Sequence, residues 1–166
     1  MTSTYSFDIV SDYDLAEVIH AVDQAKRELG TRYDLKGTNA QLDFRDAGKS
    51  GLTVIGDSQY HLDTILDIIR KKLAARGVSQ KILDTRKTPV TSNLKVTLDV
   101  SFRKGLDQDK AKKISALLRT AFPKLKVLVQ GPDIRVISPK KDELQAAIQL
   151  LEQQDFDFPL RASNFR

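Results

Sequence analysis

Lys95-Val96-Thr97-Leu98-Asp99-Val100-Ser101-Phe102 alternates apolar and polar residues along its whole length. Period-two patterning of this kind marks a half-buried strand, with Val96, Leu98, Val100 and Phe102 on the covered face. The stretch is decisive because of the order it opens. A helix is expected from about Asp107, with Ile114, Leu117, Leu118 and Ala121 inward and Pro123 as its stop. Leu125, Val127 and Val129 form one face of a second strand, Gly131-Pro132-Asp133 turns the chain, and Ile134 and Val136 mark the return. Ser138-Pro139 then predicts a helix start, because serine caps and proline suits the first helical position. Leu144, Ile148, Leu150 and Leu151 give that helix its apolar stripe, and a last strand is expected over 158–161.

Reading backward from Lys95, the same order is already present once. Phe7 and Ile9 share a face of a short strand, and Ser11 with Asp14 reads as a helix start. The stripe Leu15, Val18, Ile19, Val22 and Leu29 runs to Gly30. Leu42 and Phe44 alternate with polar neighbours, Asp46 to Gly51 connects a hairpin, and 52–55 returns. Gly56-Asp57-Ser58 leads into a helix bearing Leu62, Ile65, Leu66, Ile69 and Leu73, and a brief strand is expected over 81–83. Both passes read strand-helix-strand-strand-helix-strand, so the predicted fold is α+β, a tandem duplication of two ferredoxin-like (βαββαβ) domains. Each has an antiparallel sheet with its helices on one face, and the first and third strands are expected to be central and parallel. Thr88 to Asn93, with Pro89 and Ser92, reads as the linker, placing the domains at 1–89 and 90–166.

Composition narrows the function classes. The 166 residues contain no cysteine and only His20 and His61 as imidazoles, which removes thiol chemistry and most metal-ligand spacings. Met1 to Thr4 are short and polar, without the apolar core of a leader, and no run is apolar enough to span a membrane. The cytosol is the expected location. Gly48-Lys49-Ser50-Gly51 contains a Gly-Lys-Ser triplet but lacks the upstream glycine of a phosphate-binding loop and lies in a hairpin. Catalytic residues, metal and cofactor are therefore all expected to be none.

Charge is uneven. Residues 1–89 carry 13 basic and 13 acidic side chains, whereas 90–166 carry 14 basic and 9 acidic, so the net +5 lies wholly in the second half. A basic half points to an anionic partner, and equally to simple solubility. Arg103-Lys104 precede one helix of this half, and Lys140-Lys141 open the other. Cations there oppose the helix dipole by about 0.3–1 kcal/mol each at low salt, a cost that a bound phosphate offsets. With both loops expected at one end of the sheet, these four residues form the candidate phosphate site. The alternative is that four flexible side chains point into water. Lys126 and Arg135, with Lys95, Thr97, Asp99 and Ser101, are expected on the open sheet face, which carries no aromatic ring to stack splayed RNA bases. Tyr33 beside Arg32 and Lys36 is a candidate for base stacking, or else packs at a domain seam with only its hydroxyl wet. Phe165-Arg166 either anchors the tail or reaches a ligand.

One ordered series of motifs carries a resemblance. Ser6 to Ser11 leads to Leu15, Glu17-Val18 and Ala21-Val22-Asp23, then to Arg32-Tyr33-Asp34-Leu35-Lys36-Gly37. Ala111-Lys112-Lys113-Ile114, Leu125-Lys126-Val127, Gln130-Gly131, Arg135-Val136, Asp142 to Gln145 and Asn164-Phe165-Arg166 follow. In this order the chain resembles the bacterial YajQ family of nucleotide-binding proteins over nearly its whole length. The resemblance implies tandem ferredoxin-like domains, with exchange of their first strands a candidate arrangement. It implies binding of nucleotides or RNA rather than catalysis, with cyclic di-GMP a candidate ligand and a regulatory protein partner as output. Two other readings stand beside a nucleotide-binding module: an RNA-binding protein that contacts the phosphate backbone, and an adaptor whose basic half meets an acidic protein.

Overall fold

Each helix buries one stripe, and two of the four, the first and the third, begin at an aspartate whose side chain caps them. The first, α1 (Leu15–Thr31), starts at Asp14, whose carboxylate accepts from the Ala16 N–H at 3.0 Å. Ser11 is not its cap: it is buried and its hydroxyl has no partner, while the chain stays extended to Asp14. Val18, Ala21, Val22, Ala25 and Leu29 form the buried face. The second helix, α2 (Gln59–Ala75), begins after Ser58, and there the His61 Nδ1 accepts from the Asp57 N–H at 2.9 Å. Asp107 caps α3 (Gln108–Ala121) through the Lys110 N–H at 2.8 Å, at the position the sequence predicts. The last helix, α4 (Lys141–Gln153), starts two residues later than Ser138-Pro139 suggests. Ser138 closes a strand instead, and its hydroxyl accepts from the Lys140 N–H at 3.0 Å.

The structure, a computed structural model, describes residues 4–166. Met1 to Ser3, part of the polar start read above as free of a leader, lie outside the described residues. Nine strands accompany the helices among the described residues: β1 (Tyr5–Val10), β2 (Gln41–Phe44), β3 (Gly51–Gly56), β4 (Leu83–Asp84), β5 (Val90–Ser92), β6 (Lys95–Phe102), β7 (Lys126–Gln130), β8 (Asp133–Ser138) and β9 (Arg161–Ser163). The expected strand over 81–83 is a 3-10 turn at Gln80–Ile82 running into β4. The expected linker holds β5, which folds back on β6 through Asn93 and Leu94, both at positive φ. The final strand begins at Arg161, because Phe156 and Phe158 turn into the core as loop residues.

The strands form two sheets, ordered β7-β8-β1-β9 and β2-β3-β6-β4, with β5 pairing only β6. Every pairing is antiparallel. The architecture is α+β, with antiparallel sheets and four helices, compatible with two ferredoxin-like domains. The expectation of parallel central strands is corrected: β1·β8 and β3·β6 are both antiparallel. In a split βαβ the parallel strands are separated by the inserted one, so the two central neighbours run in opposite directions. Their following loops therefore leave opposite ends of the sheet.

Packing groups the described part of Met1–Asp12 with Lys104–Arg166 as a terminal unit, and Tyr13–Arg103 as a middle unit. The terminal unit's core joins Phe7 and Ile9 of β1 to Ile114, Leu118, Ile134, Val136 and Leu144. The middle unit's core joins α1 and α2 to Leu52 and Val54 of β3 and Leu98 and Val100 of β6. Gly51 is required in the latter. A Cβ there would strike the Val100 carbonyl across the ladder and crowd the Arg45 guanidinium. Three inward assignments are overturned: Val129 is 53% exposed, and Leu15 and Ala121 are exposed too, while Leu125 and Val127 are buried. No helix among the described residues is long and apolar enough to cross a membrane.

Candidate nucleotide site

In the middle unit, α1 stops at Arg32, whose backbone turns extended while its N–H still reaches the Glu28 carbonyl at 2.9 Å. The chain then winds through a compact loop. Leu35 and Lys36 donate to the Arg32 carbonyl at 3.2 and 3.0 Å, and Gly37 takes φ +80°, a conformation other residues rarely adopt. Leu35 is buried and pins the loop to the core. This anchoring leaves Tyr33 on the outside, 96% exposed, rather than packed with only its hydroxyl wet. The second ring, Tyr60 in the first turn of α2, is 61% exposed.

Asp34 ties these groups together. It accepts from Arg32 Nε at 2.7 Å and from the Tyr60 hydroxyl at 3.4 Å. The Arg32 hydrogen bond, above all, holds its carboxyl below the usual carboxylate range, and Asp34 in turn raises the guanidinium. Beside the loop an open groove of about 400 Å³ is lined by Lys26, Lys36, Gly37, Thr38 and Asp43, among others. Lys26 pairs with Asp43 at 3.2 Å across it. The arrangement offers two aromatic faces, a fixed guanidinium and an exposed lysine within one short loop and the helix beside it. These are the elements that stack a base and meet its phosphate.

The four-cation site expected from sequence is not assembled. Arg103 belongs to the middle unit, where its side chain is 14% exposed. It donates to the Lys81 and Leu83 carbonyls at 3.0 and 3.2 Å and pairs with Asp84 at 3.6 Å. Lys104 belongs to the terminal unit, next to Gly105, whose N–H meets the Ser11 carbonyl beyond the last residue of β1. Lys141 lies over the ring of Tyr5, the first residue of β1, at 5.7 Å. Lys104 and the Lys140-Lys141 pair therefore occupy opposite ends of that strand, as the antiparallel centre of the sheet demands.

The expected open face is divided likewise. Lys95, Thr97, Asp99 and Ser101 lie on β6 in the middle unit, and Lys126 and Arg135 lie in the terminal unit. Arg135 is held by Asp8 at 3.0 Å directly across β1·β8, and Asn164 adds a bond to the same carboxylate at 2.9 Å. Asp8 is thereby kept below its ordinary pKa, chiefly by the Arg135 hydrogen bond. Lys126 is exposed at the start of β7. Arg166 exchanges backbone hydrogen bonds with Ser6 at 3.0 and 3.1 Å, so the tail is anchored through its main chain, and Phe165 stacks on Phe7 at 5.9 Å.

Tyr60 and Lys26 are the residues that sequence reasoning passed over. Tyr60 had a readable signal: it falls off the Leu62–Ile65–Leu66–Ile69 stripe, and an aromatic ring on a helix's wet side is a binding feature to weigh. Lys26 carried none, because only the tertiary fold brings it to the loop. Among the described residues no His, Asp or Glu group is arranged to hold a metal.

The chain is similar to known proteins over nearly its whole length. The family model described as nucleotide-binding protein YajQ-like matches residues 5–166. A "Nucleotide-binding protein" of Trichormus variabilis is 43% identical over 166 residues, covering all of both chains. Proteins of the same name from Trichodesmium erythraeum and Thermobifida fusca are each 42% identical, again over the full length of both. The Arg32–Gly37 loop and the two sheets thus belong to a chain matched from end to end, and this protein is a member of the YajQ-like family of nucleotide-binding proteins.

Proposed function

We propose that this chain is a non-enzymatic, regulatory nucleotide-binding protein of the cytosol. Its base platform is Tyr33 with Tyr60, and its phosphate contacts come from Arg32, Lys36 and Lys26. The observation that carries this reading is the 96% exposure of Tyr33 beside an arginine fixed by Asp34. A large aromatic ring left bare in water serves no core, and its guanidinium neighbour keeps two N–H edges for an anion. The names of the relatives above point to the same ligand class. Cyclic di-GMP is the finer candidate, since two bases and two phosphates match two rings and several cations. A single strand of RNA is the second reading, favoured by the openness of the platform, which leaves room for flanking nucleotides. Lys104, Lys126, Lys140 and Lys141 would then add salt-sensitive attraction without a defined geometry.

The fold reading that accompanies this is a duplicated unit, repeated over 1–89 and 90–166, whose copies exchange first strands. It is supported by the sheet orders, in each of which the central position beside β3 or β8 is filled by the first strand of the other repeat.

The test is a fluorescent cyclic di-GMP titration at two salt concentrations, with GTP, ATP and single-stranded RNA as competitors. Tyr33→Ala should weaken binding by about 1–3 kcal/mol, the usual worth of one base–aromatic stack, while Tyr33→Phe should bind like wild type. Equal affinity in Tyr33→Ala and wild type would remove the platform. Displacement by RNA alone would select the second reading.

A further inference from the structure

The terminal unit carries a second feature that the nucleotide reading leaves unused. Its sheet ends at β7, whose outer edge no strand among the described residues covers. Gln130 pairs with Asp133 across the two-residue turn Gly131-Pro132, so the ladder's alternation directs Leu128 toward β8 and Val127 and Val129 outward. The Arg119 guanidinium bears this out, donating at 3.1 Å to the Val127 carbonyl. One residue on, Val129 keeps 53% of its surface exposed.

Alongside this edge runs a groove of about 330 Å³, bounded by Val129 and by Gln108, Ala111, Lys112, Ser115 and Arg119 of α3. Its surface is mostly apolar, with Ala111, Ala116 and Val129 among its walls. Its only charged lining residues are cations, Lys112 and Arg119, and no carboxylate lies among them. Ser115 is 4% exposed and its hydroxyl has no partner. Proteins ordinarily blunt a sheet edge with a charge, a proline or a covering element. Here Arg119 caps the Val127 carbonyl, while Val129, an apolar residue on the same edge, borders the groove along α3, a setting in which extended peptides add to sheets.

From this we propose that the groove between α3 and β7 receives an extended acidic segment of a partner protein, which adds to the sheet beside β7. The Val129 N–H and C=O supply the main-chain pairing, and the small residues of α3 admit the segment's alternate side chains. Lys112 and Arg119 select carboxylates at its two ends. The occupant is a peptide rather than a nucleic acid because the lining has no aromatic ring and its surface is mostly apolar.

The experiment uses the full-length chain and a fluorescent decapeptide alternating glutamate with valine, followed by anisotropy and amide NMR. Saturable binding is expected, with the Val127 and Val129 amides gaining exchange protection. Lys112→Glu should weaken it roughly fivefold, the scale of one exposed ion pair. Val129→Pro deletes an outward N–H without touching the ladder to β8, and should weaken binding about tenfold. A thermal melt confirms that both variants are folded, and a peptide N-methylated on alternate residues should not bind. The proposal is overturned by no saturation at about 1 mM peptide. It is equally overturned if a lysine-for-glutamate peptide binds as well, or if folded Val129→Pro binds like wild type.

Discussion

Replacing Phe7 by alanine tests the strand pairing most directly. The ring is fully buried, and β1 places it between β8 and β9 in the terminal unit's core. Removing a buried phenylalanine costs about 3–5 kcal/mol, counting both lost transfer energy and the cavity left behind. A unit of this size has about 4–11 kcal/mol in all, at the usual stability per residue. The substitution therefore removes a large share of the stability of one unit and none of the core of the other. Hydrogen exchange on the intact chain reads the two separately. Amides of α3, α4, β7 and β8 should lose protection by about 3–5 kcal/mol, while those of α1, α2, β2 and β3 should stay near wild type. In a chain whose first 89 residues folded together, the result would be inverted. Loss of protection in α1 and β3, with β8 unaffected, would refute the pairing.

Other consequences follow from particular contacts. Gly51→Ala places a methyl group against the Val100 carbonyl and should lower the urea midpoint of the middle unit, with a cost of about 1–3 kcal/mol typical of overpacking. Arg103→Ala should destabilise that unit by about 1.5–3 kcal/mol, read by thermal melting, because two carbonyls lose a charged donor. Nucleotide affinity should be unaffected by it, and a loss of binding in the folded variant would return Arg103 to the ligand site. Asp8, Asp12 and Asp99 all have lowered pKa values, set first by Arg135, Arg161 and Lys87 respectively. A depressed carboxylate adds stability above its unfolded pKa, about 3.9, and loses it as pH falls through the folded value. Urea midpoints should therefore drop steeply below about pH 4, and Asp8→Asn should flatten that slope.

The elements were legible in the sequence where a single physical signal decided them. Alternation in Lys95–Phe102 gave β6, and an aspartate before an apolar stripe gave the start of α3. Signals that two structures share were misread. Ser138-Pro139 suits a helix start, yet Ser138 continues a strand and its hydroxyl serves the loop. Pro89 and Ser92 read as a linker because Val90–Ser92 is a fully exposed strand with no periodicity to detect. For the candidate site, Arg32, Tyr33 and Lys36 stood out by type and proximity. Their exposure did not, since it depends on Leu35 turning inward. The four-cation cluster failed for a topological reason: charge placement was read correctly along the chain, but the relative direction of the central strands decides which loops meet.

The position of β1 also bears on how the chain is made. Asn164 donates to Asp8 across 156 positions of sequence. At ordinary synthesis rates of about 5–20 residues per second, β1 is made about 8 to 30 seconds before β9. The middle unit has all its strands once Phe102 has emerged and can close while translation continues. Phe7 and Ile9 meanwhile wait in solvent, an apolar strand with neither edge paired. Exposure to aggregation during synthesis is thus concentrated in β1 until β8 and β9 have been made, and a chaperone that holds an extended segment would find its natural client there.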